Sequence, residues 1–141
     1  MLDKAYVRRK LASLIQYLDE IAPLTRLTLA EYQVDFVRRH ATEKLIELIV
    51  ELASDINRHL VEAAGKATPE TYYNSFEEAA RLKVISAALA SRLGATTGLR
   101  NRLVHGYEDV DDRLVHQALK PLVRDYRKYV ASIEDYLRRA S

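Results

Sequence analysis

The sequence predicts an all-α fold, an antiparallel bundle of four long helices with one short helix that joins the last two. Apolar residues recur every three or four positions along almost the whole chain of 141 residues, which is the period of an amphipathic helix. Only four Gly and three Pro are present, which disfavours a turn-rich β fold. No segment has the alternating pattern of a strand. The length suits one domain, residues 1–141.

Composition excludes several functional classes. The 22 basic and 20 acidic residues leave a net charge of +2, so contact with a polyanion would need a local basic patch. The absence of Cys excludes disulfides, thiolate zinc sites and cysteine nucleophiles. Charges interrupt every apolar stretch, including the first twenty residues, so neither a membrane span nor a secretory signal is expected. We expect a cytoplasmic protein.

The first two helices are predicted from their caps. Asp3 is the expected N-cap of a helix over residues 4–22. Thr28 and Glu31 have the spacing of a capping box, and the helical period then continues to Gly65. A helix of about 36 residues would be roughly 54 Å long, against about 30 Å for the first. The second helix therefore either overhangs its neighbours or bends.

The middle of the chain is predicted as a loop, a helix and a short motif helix. Residues 65–74 are the predicted loop, and Ser75 with Glu78 is the capping box that begins the third helix. Gly94 is the expected end of that helix. A short fourth helix over about 98–106 is expected next.

The last helix is predicted over about residues 112–139. An acidic turn from Asp109 to Asp112 suits its positively polarised N-terminus. Tyr126 and Tyr129 follow its apolar period and are expected to face the core. Pro121 lacks a backbone donor, so a bend is expected just before it.

One segment concentrates polar groups that can carry chemistry. Arg100, Asn101, Arg102, His105 and Tyr107 lie within eight residues, beside predicted loops. On a helix Asn101 and His105 share a face, whereas Arg100 and His105 lie about 140° apart around the axis. If both serve one site, that site must span two surfaces, and a second copy across a two-fold axis would supply the other.

Such groups suit the cleavage of RNA. Histidine can move protons near neutral pH, and arginine offers a planar set of donors for a phosphate. The 2′-hydroxyl of RNA is the nucleophile, so no metal or cofactor is expected. A symmetric dimer supplies two histidines, one as acid and one as base. A structural role as a helix cap beside surface ion pairs stays open, because short motifs also arise by chance.

The segment Arg100–Tyr107 matches Arg-x4-His-x-Tyr, the signature of the HepT branch of the HEPN superfamily. The likeness extends over nearly the whole chain. Residues 84–107 resemble the third helix and motif helix of the family, and Glu51 with Asp55 resembles its Glu-x3-Asp pattern. The loop at 69–76 and the helical order also fit.

The resemblance implies a function. HepT-like proteins are the toxins of toxin–antitoxin pairs, with a HEPN-type bundle that forms homodimers and acts as a metal-independent ribonuclease. The implied partner is a minimal nucleotidyltransferase (MNT), which silences the toxin by transferring AMP onto the motif tyrosine, here Tyr107. The adduct would make the chain a phosphoprotein and would repel the RNA phosphates.

The resemblance also implies residue roles. Arg100 would bind the scissile phosphate, and His105 would be the general acid or base. Asn101 would orient His105 or the substrate. Arg102 would add positive potential or pair with Asp55 or Glu51. These two carboxylates either support the motif, face the dimer partner or belong to a solvated stripe.

Two other classes of function remain open from the sequence. A non-catalytic helical module would bind a nucleotide or a nucleotidyltransferase through the same cleft without RNA turnover. A pure dimerisation bundle would respond to motif substitutions only in stability or assembly.

Overall fold

The computed structural model describes residues 1–140, and for Tyr107 it describes the backbone alone. Six α-helices follow one another, and no strand occurs within this part of the chain, so the predicted all-α class is confirmed. Short 3-10 turns follow the first helix and precede the last. The helices are α1 (Lys4–Ile21), α2 (Leu29–Val34), α3 (Phe36–Ala63), α4 (Tyr72–Arg81), α5 (Ala87–His105) and α6 (Asp112–Arg139).

The four long helices form the bundle. Helix α1 packs against α3 and α6, and α5 packs against the same two helices. Short α4 lies against α3 and α5. The core contains three aromatic rings in edge-to-face contact, with centroids 6.1–6.4 Å apart. They are Phe76, Tyr126 and Tyr129, so the two tyrosines are buried as predicted.

The second predicted helix is two helices, α2 and α3, with a break at Asp35. Of the two alternatives, an overhang or a bend, the structure thus shows a change of direction. The Thr28 capping box is present, with Glu31 bonded back to the Thr28 N–H. Helix α2 ends after six residues, and Asp35 leaves the helical conformation at φ −104° and ψ 89°. Its carboxylate accepts from the Arg38 N–H and begins α3. One residue is thus both the break and the new cap.

The prediction that Ser75 begins a helix is wrong. Thr71 is the N-cap, with its hydroxyl accepting from the Asn74 N–H, and Ser75 lies buried inside α4. The chain then turns at Lys83, which has a positive φ of 64°, and Ser86 caps α5. The third predicted helix therefore covers two real ones.

The prediction of a separate motif helix over residues 98–106 is also wrong. Helix α5 runs without interruption through Gly94 to His105, so the motif occupies the last turns of a long helix. Gly94 does not end the helix but allows the Tyr73 ring to pack close to the α5 backbone. A Cβ there would lie 3.0 Å from Cε2 of Tyr73. The short helices are α2 and α4, and both precede the motif helix.

Helix α6 has the predicted bounds, Asp112–Arg139, and the bend expected before Pro121 stays a prediction. Asp111 is the N-cap, and Pro121 lies inside one continuous helix. Across the described chain, no helix has the length and apolar character that crossing a membrane requires.

Candidate active site

Arg100 lies at the centre of the candidate site, on the side of α5 that faces α3. Its side chain is only 14% exposed. Both Nε and Nη2 donate to Oε2 of Glu51, at 3.2 Å and 2.8 Å. A charge-assisted contact through two donors fixes the orientation of the guanidinium plane. Glu51 thus supports the motif arginine, which was one of its three predicted placements.

Two further contacts hold Arg100. The guanidinium carbon lies 4.5 Å from the centroid of the Tyr72 ring, and Nη1 donates to Oδ1 of Asn101 at 3.1 Å. Three of the five guanidinium N–H groups are thereby used. The other two have no partner in the described part of the chain. They are the donors that an incoming phosphate could use.

His105 is the last residue of α5 and is exposed. No hydrogen bond to its ring occurs among the described residues. Since α5 is continuous, Arg100 and His105 lie about 140° apart around the axis and about 7.5 Å apart along it. Within one chain they point to different sides. The side chain of Tyr107, the predicted modification site, lies outside the described residues.

The remaining predicted residues serve different contacts. Asn101 touches Arg100, and no bond from it to His105 is present in the described structure. Arg102 is exposed beside α6 and pairs with neither predicted carboxylate in the described chain. Glu51 is bonded to Arg100, and Asp55 forms an ion pair with Lys10 at 3.1 Å. Of the predicted site residues whose side chains are described, only Glu51 and Asn101 therefore bond to Arg100.

The site also contains Arg58 and Tyr72, which were not predicted from the sequence. The guanidinium carbon of Arg58 lies 5.1 Å from the Tyr72 ring centroid, so two arginines contact one aromatic ring. Arg58 follows Glu51 by seven residues, two helical turns, and that spacing on one face was the available signal. No pattern pointed to Tyr72. These residues line an open pocket of about 450 Å³ with Glu70, Thr71, Tyr73, Thr97, Arg100 and Asn101.

A buried polar chain holds the start of α4 against the bundle. The Tyr129 hydroxyl lies 2.6 Å from Oδ1 of Asn57 and 3.0 Å from the carbonyl of Ala53. Asn57 Nδ2 donates to Ser75, whose hydroxyl donates to the Tyr72 carbonyl at 2.7 Å. Burial raises the pKa of Tyr129 well above its ordinary value, so the hydroxyl keeps its proton.

Metal ligands do not gather in the described structure. No three His, Asp or Glu side chains within residues 1–140 are placed to share a metal ion.

Sequence comparison gives two matches of long coverage. The family described as Ribonuclease HepT-like matches residues 14–133. The tRNA nuclease HepT of Aphanizomenon flos-aquae is 30% identical over 136 residues, which is 96% of this chain and 92% of that protein.

Solved structures share the fold. The HEPN toxin of Shewanella oneidensis, tri-AMPylated and in complex with its MNT antitoxin, superposes with a TM-score of 0.84 at 21% identity, covering 96% of this chain and 99% of the toxin. The cytosolic protein YutE of Bacillus subtilis gives 0.82 at 17% identity, covering 96% and 91%. With the family match over most of its length, the chain belongs to the HepT-like ribonucleases, and its enzyme class is endoribonuclease.

Proposed function

We propose that this protein is the toxin of a HEPN/MNT toxin–antitoxin module and cleaves RNA without a metal ion. The observation that carries the proposal is the fixed orientation of the Arg100 guanidinium and its unused donors. Glu51, Asn101 and Tyr72 hold the guanidinium in one orientation, and two of its donors remain without a described partner. An arginine fixed before substrate arrives can stabilise charge that develops on a phosphate in the transition state.

The proposed reaction is an internal transfer at phosphorus. A base removes the proton of a ribose 2′-hydroxyl, whose oxygen attacks the adjacent phosphorus. The bond from phosphorus to the 5′-oxygen breaks, and an acid gives that oxygen a proton. The products are a 2′,3′-cyclic phosphate and a 5′-hydroxyl. Arg100 binds the non-bridging oxygens, and His105 supplies the acid or the base.

The two roles of histidine support a dimer. One imidazole cannot be acid and base in the same step, and Arg100 and His105 of one chain point to different sides of α5. A two-fold axis near the ends of two α5 helices would bring both pairs to one cleft.

The substrate and partner are proposed from the relatives. The Aphanizomenon relative is named a tRNA nuclease, and the Shewanella toxin is bound to an MNT antitoxin and carries AMP. We propose the same for this chain: its substrate is tRNA, its partner is an MNT antitoxin, and the antitoxin transfers AMP onto Tyr107. An adduct there, two residues after His105 in the chain, would add negative charge to the motif and repel RNA.

The activity test uses purified protein, total tRNA and EDTA. We expect cutting that yields cyclic-phosphate ends, and its loss in Arg100→Ala and in His105→Ala. Arg138→Ala and His40→Ala are the controls, because both residues are exposed outside the motif. Cutting that survives both motif changes would overturn the catalytic assignment. Tight antitoxin binding by a wild type that never cuts would favour the non-catalytic module.

The cleft is tested by mixing wild type with the His105→Ala variant. A heterodimer of these two chains keeps only one intact histidine, so a cleft that uses one histidine as acid and the other as base is inactive in it. After refolding of the mixtures, the activity per wild-type chain should therefore fall as the share of the variant rises. Activity that stays proportional to the amount of wild type, in a mixture shown to contain heterodimers, would exclude a shared cleft.

The modification is tested by co-expression with the neighbouring nucleotidyltransferase. Intact mass should rise in steps of one AMP unit, and Tyr107→Phe should remove them. Adducts that persist in Tyr107→Phe would assign the modification to another residue.

A further inference from the structure

The pocket beside Arg100 contains a second arginine that the proposed reaction does not use. Arg58 projects from α3, one helical turn beyond Asp55, and lies over the Tyr72 ring. Arg58 and Arg100 therefore line the same pocket.

Arg58 has unused bonding capacity. It forms no ion pair within the described chain, whereas Arg100 is paired with Glu51. Its Nε atom is buried and has no hydrogen-bond partner among the residues that the structure describes. A buried donor without a partner is costly, and such groups point to a missing ligand or solvent. The planar guanidinium is suited to a phosphate oxygen pair.

The pocket also offers an aromatic surface. Tyr73 follows Tyr72 at the start of α4 and is half exposed. It reaches across to Gly94, whose lack of a side chain leaves room for the ring. Exposed tyrosines and arginines are the groups on which unpaired bases stack. The volume of about 450 Å³ falls within the range of small-molecule pockets.

We propose that this pocket is a binding subsite for the RNA nucleotide next to the scissile phosphate. Arg58 binds the phosphate of that nucleotide, and Tyr73 stacks on its base, while Arg100 holds the phosphate that is cut. The inference rests on the proposed ribonuclease function. It assigns binding, not catalysis, to Arg58. The pocket would select single-stranded RNA, because a paired base cannot reach Tyr73.

The first test measures binding without cutting. In a His105→Ala background, a labelled single-stranded RNA is titrated against protein by fluorescence anisotropy. Arg58→Gln should weaken binding about 10- to 100-fold, and the slope of log affinity against log salt should fall by about 0.7. Arg58→Lys should recover part of the affinity. Arg138→Gln removes an equal charge from the surface between α1 and α6, outside the pocket, and should change the affinity and the salt slope less.

Two further variants test the same pocket. Glu70 also lines it, so Glu70→Gln should tighten RNA binding by removing a repelling charge. Tyr73→Leu should weaken binding to single-stranded RNA while leaving the salt slope unchanged, because stacking releases no counterions. Thermal melting checks that each variant is folded. If Arg58→Gln does not fold, the RNA affinities of Arg58→Lys and Glu70→Gln test the subsite instead.

Cleavage kinetics separate this inference from the proposed function. In the otherwise wild-type protein, Arg58→Gln should raise KM and leave kcat within a few-fold, whereas Arg100→Ala should abolish kcat. If Arg58→Gln and Arg138→Gln behave alike in affinity and salt slope while wild type cuts RNA, the subsite is wrong and the ribonuclease stands. If wild type binds RNA through Arg58 but never cuts, the catalytic proposal fails instead.

Discussion

Glu51 and Arg100 connect the middle of α3 to the motif end of α5 through one carboxylate oxygen. Oε2 accepts from Nη2 at 2.8 Å and from Nε at 3.2 Å, and the arginine is largely shielded from water. An ion pair on an exposed surface contributes little, but a shielded pair with two donors restricts where the guanidinium can be. Glu51 is thus a positioning residue for Arg100.

We expect Glu51→Gln to lower RNA cleavage by roughly 10- to 100-fold, because the neutral amide holds Arg100 less firmly and a small displacement of a positioned group has a large kinetic effect. Glu51→Asp, which keeps the charge on a shorter side chain, should recover part of the rate. Cleavage is measured on tRNA under single-turnover conditions.

Glu47→Gln is the matched control, since Glu47 lies one turn earlier on α3 and pairs with Lys44 at the surface. It should leave the rate near that of wild type. Equal losses in the two variants would mean that the α3 carboxylates act through general charge and not through Arg100.

The buried chain from Tyr129 to Tyr72 gives a prediction about stability. Tyr129→Phe removes the hydroxyl that contacts Asn57 and Ala53, and leaves the Asn57 oxygen buried without that donor. The free energy of unfolding should fall by about 1–3 kcal/mol in urea denaturation. Tyr136→Phe, at a half-buried position of the same helix, should change it much less. Equal effects would show that the network contributes nothing beyond the loss of a hydroxyl.

The α2–α3 corner gives a prediction about acid stability. The Arg38 backbone N–H donates to Asp35, and this lowers the pKa of Asp35 below its ordinary value. A lowered pKa in the folded state stabilises the fold above the ordinary pKa of about 3.9, and that contribution is lost as pH falls through the folded pKa. Asp35→Asn keeps a capping oxygen but cannot ionise.

Melting temperature against pH tests this corner. Wild type should melt above Asp35→Asn at pH 6, and the difference should shrink towards pH 2. A difference that stays constant over this range would mean that the charge of Asp35 contributes nothing to the cap.

The sequence was sufficient to predict the elements whose signals are local. The caps at Asp3 and Thr28 depend on side chains that bond to backbone groups a few residues away, and both are present. The apolar period of α6 placed Tyr126 and Tyr129 in the core, since burial follows directly from helical spacing. The Arg100–Tyr107 segment likewise led to the family, which the sequence match confirmed.

The sequence could not predict features that depend on tertiary contacts. Gly94 has the signature of a helix end, yet its position in α5 is set by the Tyr73 ring on another helix. The break at Asp35 was left open by the sequence, because the apolar period continues across it. Arg58 and Tyr72 approach Arg100 only because α4 packs between α3 and α5.

The two glycines of α5 provide a final prediction, because alanine is expected to act differently at the two positions. At Gly98 an added Cβ meets nothing within 4 Å, so Gly98→Ala should stabilise the protein by about 0.5–1 kcal/mol through lower backbone entropy in the unfolded chain. At Gly94 the Cβ would lie 3.0 Å from Tyr73, so Gly94→Ala gains less or loses stability and displaces that ring. Urea denaturation measures the first effect, and single-stranded RNA affinity in the His105→Ala background measures the second. Gly94→Ala should weaken RNA binding, while Gly98→Ala should not. If both glycines tolerate alanine equally in stability and in RNA affinity, the Tyr73 ring is not held by Gly94, and the pocket does not depend on that contact.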